Sequence, residues 1–469
     1  MISREKLELL SKAELIDLIL KQQEQIYQLT AALQQLQNDF EALKAKFEHN
    51  QKPPTTSQNS SQPPSRDFKP NQPKDKRKHR HGPPPGHPKH ERQMVATPDR
   101  IVILQPHTCP ACQTDLSAKP ARLAKVNQIT ELPEAPAQVI EVRQYEVTCP
   151  DCHKSQTLSP PSGLEMNRSF GDRLQATVVY LRQEQHLSYA RTQATLENLY
   201  GVRISLGGID DIMQRVGQRA LEQVEPIENQ VRASAVIYSD ETTCRVEGNY
   251  RWEWVFCSLS AIRHVIRFNR SSDVIWDVMK EAQAEVWVSD YYNAQMKAPT
   301  QAHQLCLAHQ IRNLQGLIDH SPPSLWAVTM QILFRYAIHL SRRRKDLSAE
   351  AFQAKVDWIE HCLQVLVDQP LQEEAARLLK QPYQNQRQSL LVFLHRTDVE
   401  PTNNISERAL RHSVVHRKVL CGFRSEWGAQ GFAALASIID TAELKGIHAF
   451  AAIQSLFNHP ALPLPIGGE

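Results

Sequence analysis

The chain has 469 residues, 41% of them apolar, and a formal net charge of +3. That length supports two or three packed domains plus some unpacked chain. No apolar run of about 18 residues occurs, and the N-terminus lacks a signal-peptide block, which excludes a membrane protein and leaves the expectation of a soluble, cytoplasmic one.

Nine cysteines without a secretion signal argue against a disulfide framework, because the cytosol keeps thiols reduced. Ser11 followed by Glu14 is a capping-box pattern that opens a helix. Beyond it Ile19, Ile26, Leu33, Phe40 and Phe47 recur every seven residues, with Leu29, Leu36 and Leu43 three residues after their partners. Leu15 extends this second seam, with Gln22 its one polar break. Such a double seam is a coiled coil, and the expected use is homo-oligomerisation.

From about Gln51 to Thr97 the composition turns to Pro, Ser, Gln, Lys and His, which cannot bury enough apolar surface to fold. Between Arg66 and Arg92 nine Lys or Arg face three acids and four His, so the rest of the chain is slightly acidic. A local basic tract in a near-neutral protein suits a polyanion-touching arm or, equally simply, a solvated linker.

Cys109-Pro-Ala-Cys112 and Cys149-Pro-Asp-Cys152 follow. Two such knuckles supply four thiolates, the donor set of a closed structural Zn²⁺ site, with His107 and His153 as substitute ligands. The alternation from Val139 to Val147 predicts a strand leading into the second knuckle, as in a zinc ribbon. Residues 169–220 then read as helices broken at Gly201, with Ser188 and Ser205 as N-caps. Two helices around a tight turn fit a helix-turn-helix reader, although Asp210 and Asp211 would repel phosphates and plain helical packing stands as the alternative.

After Ala233 the pattern changes to strands. SAVIYS ends at Asp240, two further runs rich in β-branched and aromatic residues follow, a helix covers Val274 to Ala282, EVWVS ends at Asp290, and HQLCLAH precedes another helix. The expected order, three strands, helix, strand, helix, strand, matches a ribonuclease H-like fold that presents acids from the ends of its first and fourth strands. Phosphodiester transfer must activate an attacking oxygen and neutralise a leaving one, and two divalent ions held by carboxylates do both. Asp240 and Asp290 supply half of such a cage. The third acid is Glu407 in PTNNISERALR, one turn into a helix that Asn403 or Asn404 would cap. Glu241 is a rival ligand that strand alternation should point away.

Residues 319–396 read as helical throughout, an insertion ahead of Glu407, and the basic run Arg342 to Lys345 within it is either a DNA contact or a solvated helix end. His309 and Arg312 lie just past the fifth strand, where they could bind the scissile phosphate. Arg408, Arg411, Arg417 and Lys418, on and after the Glu407 helix, are the stronger candidates for DNA contacts.

The leading seam, the CPxC knuckles, SDET at Ser239 to Thr242, SDYYNA at Ser289 to Ala294, CLAHQIR at Cys306 to Arg312 and NNISERALR at Asn403 to Arg411 together resemble the insertion-sequence-sixty-six (IS66-type) family of bacterial transposases. The resemblance implies a DDE-type enzyme with Asp240, Asp290 and Glu407 as its triad, two Mg²⁺ (or Mn²⁺) ions at the active site, and double-stranded DNA, element ends and target, as partner. It implies a nucleoid-associated protein and leaves open whether companion proteins of the same element take part. Thr402 and Ser406 depart from the Asp and the small apolar residue common in the family. The expected organisation is multidomain α+β: coiled coil 1–50, linker 51–97, zinc-ribbon-like domain 98–160, helix-turn-helix-like domain 165–230, ribonuclease H-like α/β domain 231–318 and 397–445, helical insertion 319–396 and a C-terminal tail 446–469. The alternatives are a coiled-coil zinc DNA-binding regulator with a non-catalytic ribonuclease H-like domain, or a ribonuclease H-like nuclease.

Overall fold

The computed structural model describes residues 93–132, 137–160, 163–319, 324–372 and 374–457. The coiled-coil seam, the basic tract and nearly all of the linker lie outside the described residues. Residues 142–194 and 204–457 form one compact unit, and residues 93–132 and 137–141 with Thr195–Arg203 form a second. No helix among the described residues is long and apolar enough to cross a membrane.

In the second unit the chain is mostly irregular, with an isolated bridge between Thr108 and Asp115 around the first knuckle. The first unit opens with a small antiparallel hairpin, β1 (Glu146–Thr148) and β2 (Ser155–Thr157), that frames the second knuckle. The strand expected over 139–147 is therefore shorter than its alternation suggested. Only three residues pair, because the partner strand is itself only three residues long.

Four helices follow: α1 (Asp172–Gln183), α2 (Tyr189–Tyr200), α3 (Leu206–Glu222) and α4 (Glu225–Arg232). Their boundaries have local causes. Ser188 Oγ accepts the Arg191 N–H at the start of α2, Ser205 Oγ accepts the Gly208 N–H at the start of α3, and Gly201 takes the positive φ that ends α2. Tyr189 donates its hydroxyl proton to Asp210 across the α2–α3 corner, so one of the two acids that argued against a phosphate contact is already engaged.

The centre of the unit is a five-stranded sheet of order β5-β4-β3-β6-β7, built from β3 (Val236–Val246), β4 (Asn249–Cys257), β5 (Ile262–Arg267), β6 (Ala284–Ser289) and β7 (Thr300–Leu305). β3, β4 and β5 are antiparallel neighbours, whereas β6 runs parallel to β3 and β7 parallel to β6. Glu247 and Gly248 both have positive φ between β3 and β4, the two-residue hairpin turn that suits strand twist. α5 (Asp273–Met279) joins β5 to β6. This mixed α/β arrangement is compatible with a ribonuclease H-like domain. Two expectations change. β3 continues to Val246, because its second half pairs with β4, so Asp240 lies mid-strand rather than at a strand end. The β6–β7 crossover holds a single 3-10 turn, Gln295–Lys297, where a helix was expected.

After β7 come α6 (Leu307–Ile318), α7 (Leu325–Arg342), α8 (Ala349–Asp368), α9 (Glu374–Asn385) and the short α10 (Val392–His395). Their apolar faces merge with one face of the sheet into a core that includes Tyr238, Val288, Phe334, Ile359 and Phe393. Burying each such side chain contributes roughly 1.5–3 kcal/mol. Within the basic run, Arg344 stacks on Phe352 and donates to the Leu394 carbonyl, which makes it a staple of this core, while Arg342, Arg343 and Lys345 are exposed.

α11 (Asn404–Leu420) and α12 (Glu426–Leu444) return to the sheet. α12 is rich in small residues and crosses α3 closely: a Cβ on Gly217 would sit 3.2 Å from the Gly431 Cα. The segment read as a C-terminal tail carries a helix, α13 (Ala449–Ser455), whose Phe450 packs edge-on against Tyr180 of α1 at 5.8 Å.

Candidate active site

The parallel register of β3 and β6 pairs Val236 with Val286, Ile237 with Trp287 and Tyr238 with Val288. The pairing stops there, so Asp240 follows on β3 and Asp290 follows just past the end of β6, each two residues beyond the last paired position of its strand. β6 ends at Ser289, so Asp290 leaves the sheet where Asp240 still lies in it.

Glu407 arrives from α11, and the buried Asn403 ties the start of that helix to the sheet. Asn403 donates its side-chain Nδ2–H to the Ser239 carbonyl (2.8 Å), immediately before Asp240, and its backbone N–H to Cys306 Sγ (3.2 Å). The Leu307 N–H bonds the Pro401 carbonyl, which closes the same junction. Asn403 thus stands at the N-cap position without capping: its side chain is a strut to β3 rather than a partner for the helix's own N–H groups. Glu407 sits in the first turn, where the positive end of the helix dipole favours a carboxylate.

Asp240 and Asp290 are both perturbed by burial and by neighbouring acids. Burial pushes the Asp240 carboxyl well above its ordinary range, and Asp290, Glu241 and Glu407 add to the rise. Burial also raises Asp290, to about 6, with Glu241 adding and Arg270 opposing. Asp290 Oδ1 and Glu407 Oε1 are buried without a hydrogen-bond partner. Unsatisfied buried acceptors are costly, and carboxylate oxygens are the donors that hard divalent cations take; the structure does not bring one oxygen each of Asp240, Asp290 and Glu407 within 4.8 Å of one another.

His309 and Arg312, both on α6, flank Glu407. His309 Nδ1 lies 3.7 Å and Arg312 Nη2 3.5 Å from Glu407 Oε1, each beyond a good hydrogen bond. Burial, then the Arg312 charge, lowers the His309 imidazole to about 4, and burial raises the Cys306 thiol to about 11. Cys306, His309 and Glu407 bring one donor atom each within 4.8 Å of one another.

Glu241 faces a different set of partners. Arg270 donates to its Oε1 through Nε (2.8 Å) and Nη2 (2.5 Å), and Gln295 donates to its Oε2 (2.7 Å). Arg270 is itself sandwiched by Trp252 and Tyr292. Trp287 Nε1 donates to Ser239 Oγ and Gln295 Oε1, so the residues alternating with Asp240 form a closed polar network on the other face. A second network lies on the Asp240 face. His264 Nδ1 is 3.0 Å from Glu253 Oε1 and its Nε2 is 2.9 Å from Asp440 Oδ2, while Ser413, on the Glu407 helix, donates to the same Glu253 oxygen. None of Arg270, Gln295, Glu253 or His264 stood out in the sequence. Period-two alternation would have put Glu253 and His264 on the Asp240 face, but only given the strand register.

Arg408, Arg411 and Lys418 fall on one exposed stripe of α11. Arg417 is half-buried and donates to Thr242 Oγ1 and Thr243 Oγ1 of β3, so its guanidinium is already engaged. The two knuckles share one backbone design. Cys109 N–H bonds Thr114 O and Gln113 N–H bonds Cys109 O, while Cys149 N–H bonds Lys154 O and His153 N–H bonds Cys149 O. Gln113 and His153 both take positive φ. Hydrogen bonds, chiefly from Thr114, lower the Cys112 thiol, and backbone N–H groups of Cys152 and Asp151 lower that of Cys149.

A five-stranded mixed sheet of this order, flanked by helices and with acids on and just beyond its central strands, is compatible with the ribonuclease H-like domains of nucleases and transposases. Comparison with known families narrows this: residues 167–431 match the family model described as the transposase IS66 family. That match spans more than half of the chain, and the chain belongs to the IS66 family of transposases. No curated protein matches it.

Proposed function

We propose that this chain is a DNA transposase in which Asp240, Asp290 and Glu407 hold two divalent ions, Mg²⁺ or Mn²⁺, and catalyse cleavage at the element ends followed by strand transfer to target DNA. The observation that carries the reading is the pair of buried carboxylate oxygens on Asp290 and Glu407 that lack a hydrogen bond, with an Asp240 carboxyl raised by burial and then by its acidic neighbours. Such a cluster is costly without positive charge and favourable with it. Bound ions would supply activation of the attacking oxygen and neutralisation of the leaving one.

The chain's own residues do the rest. Asn403 holds the Glu407 helix to β3, and the Arg270–Glu241 pair keeps Glu241 out of the cage. Water attacks first to free a 3′-hydroxyl, which then attacks the target in the same site. In this reading His309 and Arg312 donate to the scissile phosphate, and the exposed stripe of Arg408, Arg411 and Lys418 neutralises flanking phosphates, with Arg417 adding charge from its anchored position. The knuckle thiols, Cys109 and Cys112 in one and Cys149 and Cys152 in the other, serve structural Zn²⁺, a role that suits Cys112 and Cys149 in particular, whose thiols are lowered by neighbouring hydrogen-bond donors. The N-terminal seam joins copies of the chain.

The test is purified protein with element-end DNA and Mg²⁺ or Mn²⁺. Asp290→Asn removes a carboxylate that the neutral amide cannot replace, and losing several kcal/mol of transition-state stabilisation is roughly a 100-fold or greater fall in cleavage. Undiminished cleavage by Asp290→Asn would refute the triad. Cut DNA without joined product would mark a nuclease, and binding without cutting a regulator.

A further inference from the structure

We propose that Cys306, His309 and Glu407 form a second metal site, specific for a thiophilic borderline cation such as Zn²⁺, that withdraws Glu407 from the triad when filled. Three observations carry it. One donor atom each from a thiol, an imidazole and a carboxylate lies within 4.8 Å of the other two. Two of the three, His309 Nδ1 and Glu407 Oε1, are buried with no hydrogen-bond partner. Their separation of 3.7 Å is too long for a hydrogen bond, yet close to the edge of a tetrahedron, about 3.4 Å for metal–donor bonds of roughly 2.0–2.1 Å.

The donor chemistry sets the ion. Thiolate and imidazole select Zn²⁺ and its neighbours over Mg²⁺ and Ca²⁺, which take oxygen. The scaffold is rigid where it needs to be. Cys306 is the N-cap residue of α6 and His309 lies in that helix's first turn, so their spacing is fixed by one helical turn. Asn403 donates its backbone N–H to Cys306 Sγ, which favours the sulfur as an anion when a cation binds. Asn403 also immediately precedes the helix that carries Glu407, so the ligands from α6 and α11 share one junction. Arg312 approaches the same Glu407 oxygen at 3.5 Å, but its side chain is 29% exposed and can swing away when a cation arrives. With three protein ligands the fourth position stays open to water or a phosphate oxygen.

Glu407 cannot serve both sites at once through Oε1. Zn²⁺ at micromolar levels is therefore expected to antagonise Mg²⁺-dependent DNA cleavage. That consequence rests on the triad reading given above; the binding itself does not.

The experiment is a Co²⁺ titration of the full-length chain, followed by its absorption spectrum, with Co²⁺ as the coloured stand-in for Zn²⁺. Wild type should bind one more ion per chain than Cys306→Ser or His309→Ala, and the wild-type-minus-Cys306→Ser spectrum should show a thiolate-to-cobalt band. Each substitution should weaken that extra ion by at least about 10-fold, the loss that follows even from removing an outer-shell partner. Asp240→Asn, which touches only the triad, should keep the ion and the band. Thermal melting checks that each variant is folded, and His309→Gln, which keeps side-chain bulk, stands in if His309→Ala is not. Equal stoichiometry and identical spectra in wild type, Cys306→Ser and the His309 variant would overturn the proposal, as would loss of the extra ion in Asp240→Asn. If the extra ion binds as expected but the protein cleaves no DNA in Mg²⁺, the triad reading fails and this site stands.

Discussion

The His264 network makes a sharp prediction about stability and pH. His264 is fully buried, and burial alone would depress its imidazole, yet hydrogen bonds to Asp440 and Glu253 raise it from 6.5 to about 9. A neutral ring has one N–H to give, whereas both His264 nitrogens face carboxyl oxygens, so the charged ring is the form that satisfies both. A rise of that size is worth about 3 kcal/mol of folding free energy. Because the folded-state value lies above the free one, the contribution is complete below about pH 6.5 and is lost as the pH rises through about 9. At roughly 2–4 °C of melting temperature per kcal/mol, wild type should melt roughly 6–12 °C lower at pH 10 than at pH 6.5 through this group alone. His264→Gln leaves the buried Glu253 and the partly exposed Asp440 without their cation and should cost about 3–5 kcal/mol at pH 6.5, with a shallower fall toward pH 10. The assay is urea or thermal unfolding of both proteins at half-unit steps from pH 6 to 10. Parallel stability curves, offset but of equal slope between pH 6.5 and 9, would show that His264 is not charged in the folded protein.

Other expectations follow from the same contacts. Arg270→Met should leave the Glu241 side chain, which is fully buried, without its cation and cost about 3–5 kcal/mol by denaturant unfolding; a loss under 1 kcal/mol would mean that Gln295 alone satisfies it. Asn403→Ala should cut cleavage more than it cuts DNA binding, because it frees the Glu407 helix from Ser239 without removing a charge, and an equal loss of both would contradict that division. Gly217→Val should destabilise by about 1–3 kcal/mol, since its Cβ would meet the Gly431 Cα at about contact-breaking distance; an unchanged melting point would show that α3 and α12 can separate freely.

How far the sequence could be read depended on whether the signal was local. Ser188 and Ser205 cap the helices they were expected to cap, since that bond spans three residues. Asp240 was noticed because it ends an apolar run, but the strand does not stop there: TTCRV continues it, and its polar residues pair with β4 instead of turning away. Asn403 has the composition of a cap and does different work, because Ser239, 164 positions earlier, offers it a buried carbonyl. The His264–Asp440 pair spans 176 positions and leaves no trace in any short window. The crossover after Asp290 was read as helical, yet the chain needs only one 3-10 turn to step to the next parallel strand. The two CxxC segments, equal in spacing, fold into matching backbone turns.

The bare crossing of Gly217 and Gly431 has a mechanical consequence. With no side chains between them, α3 and α12 meet backbone to backbone, and α12 lies in turn against β5 through Ser437 and Thr441. α3 is thus coupled to the sheet through α12, and a displacement of one is passed on to the other.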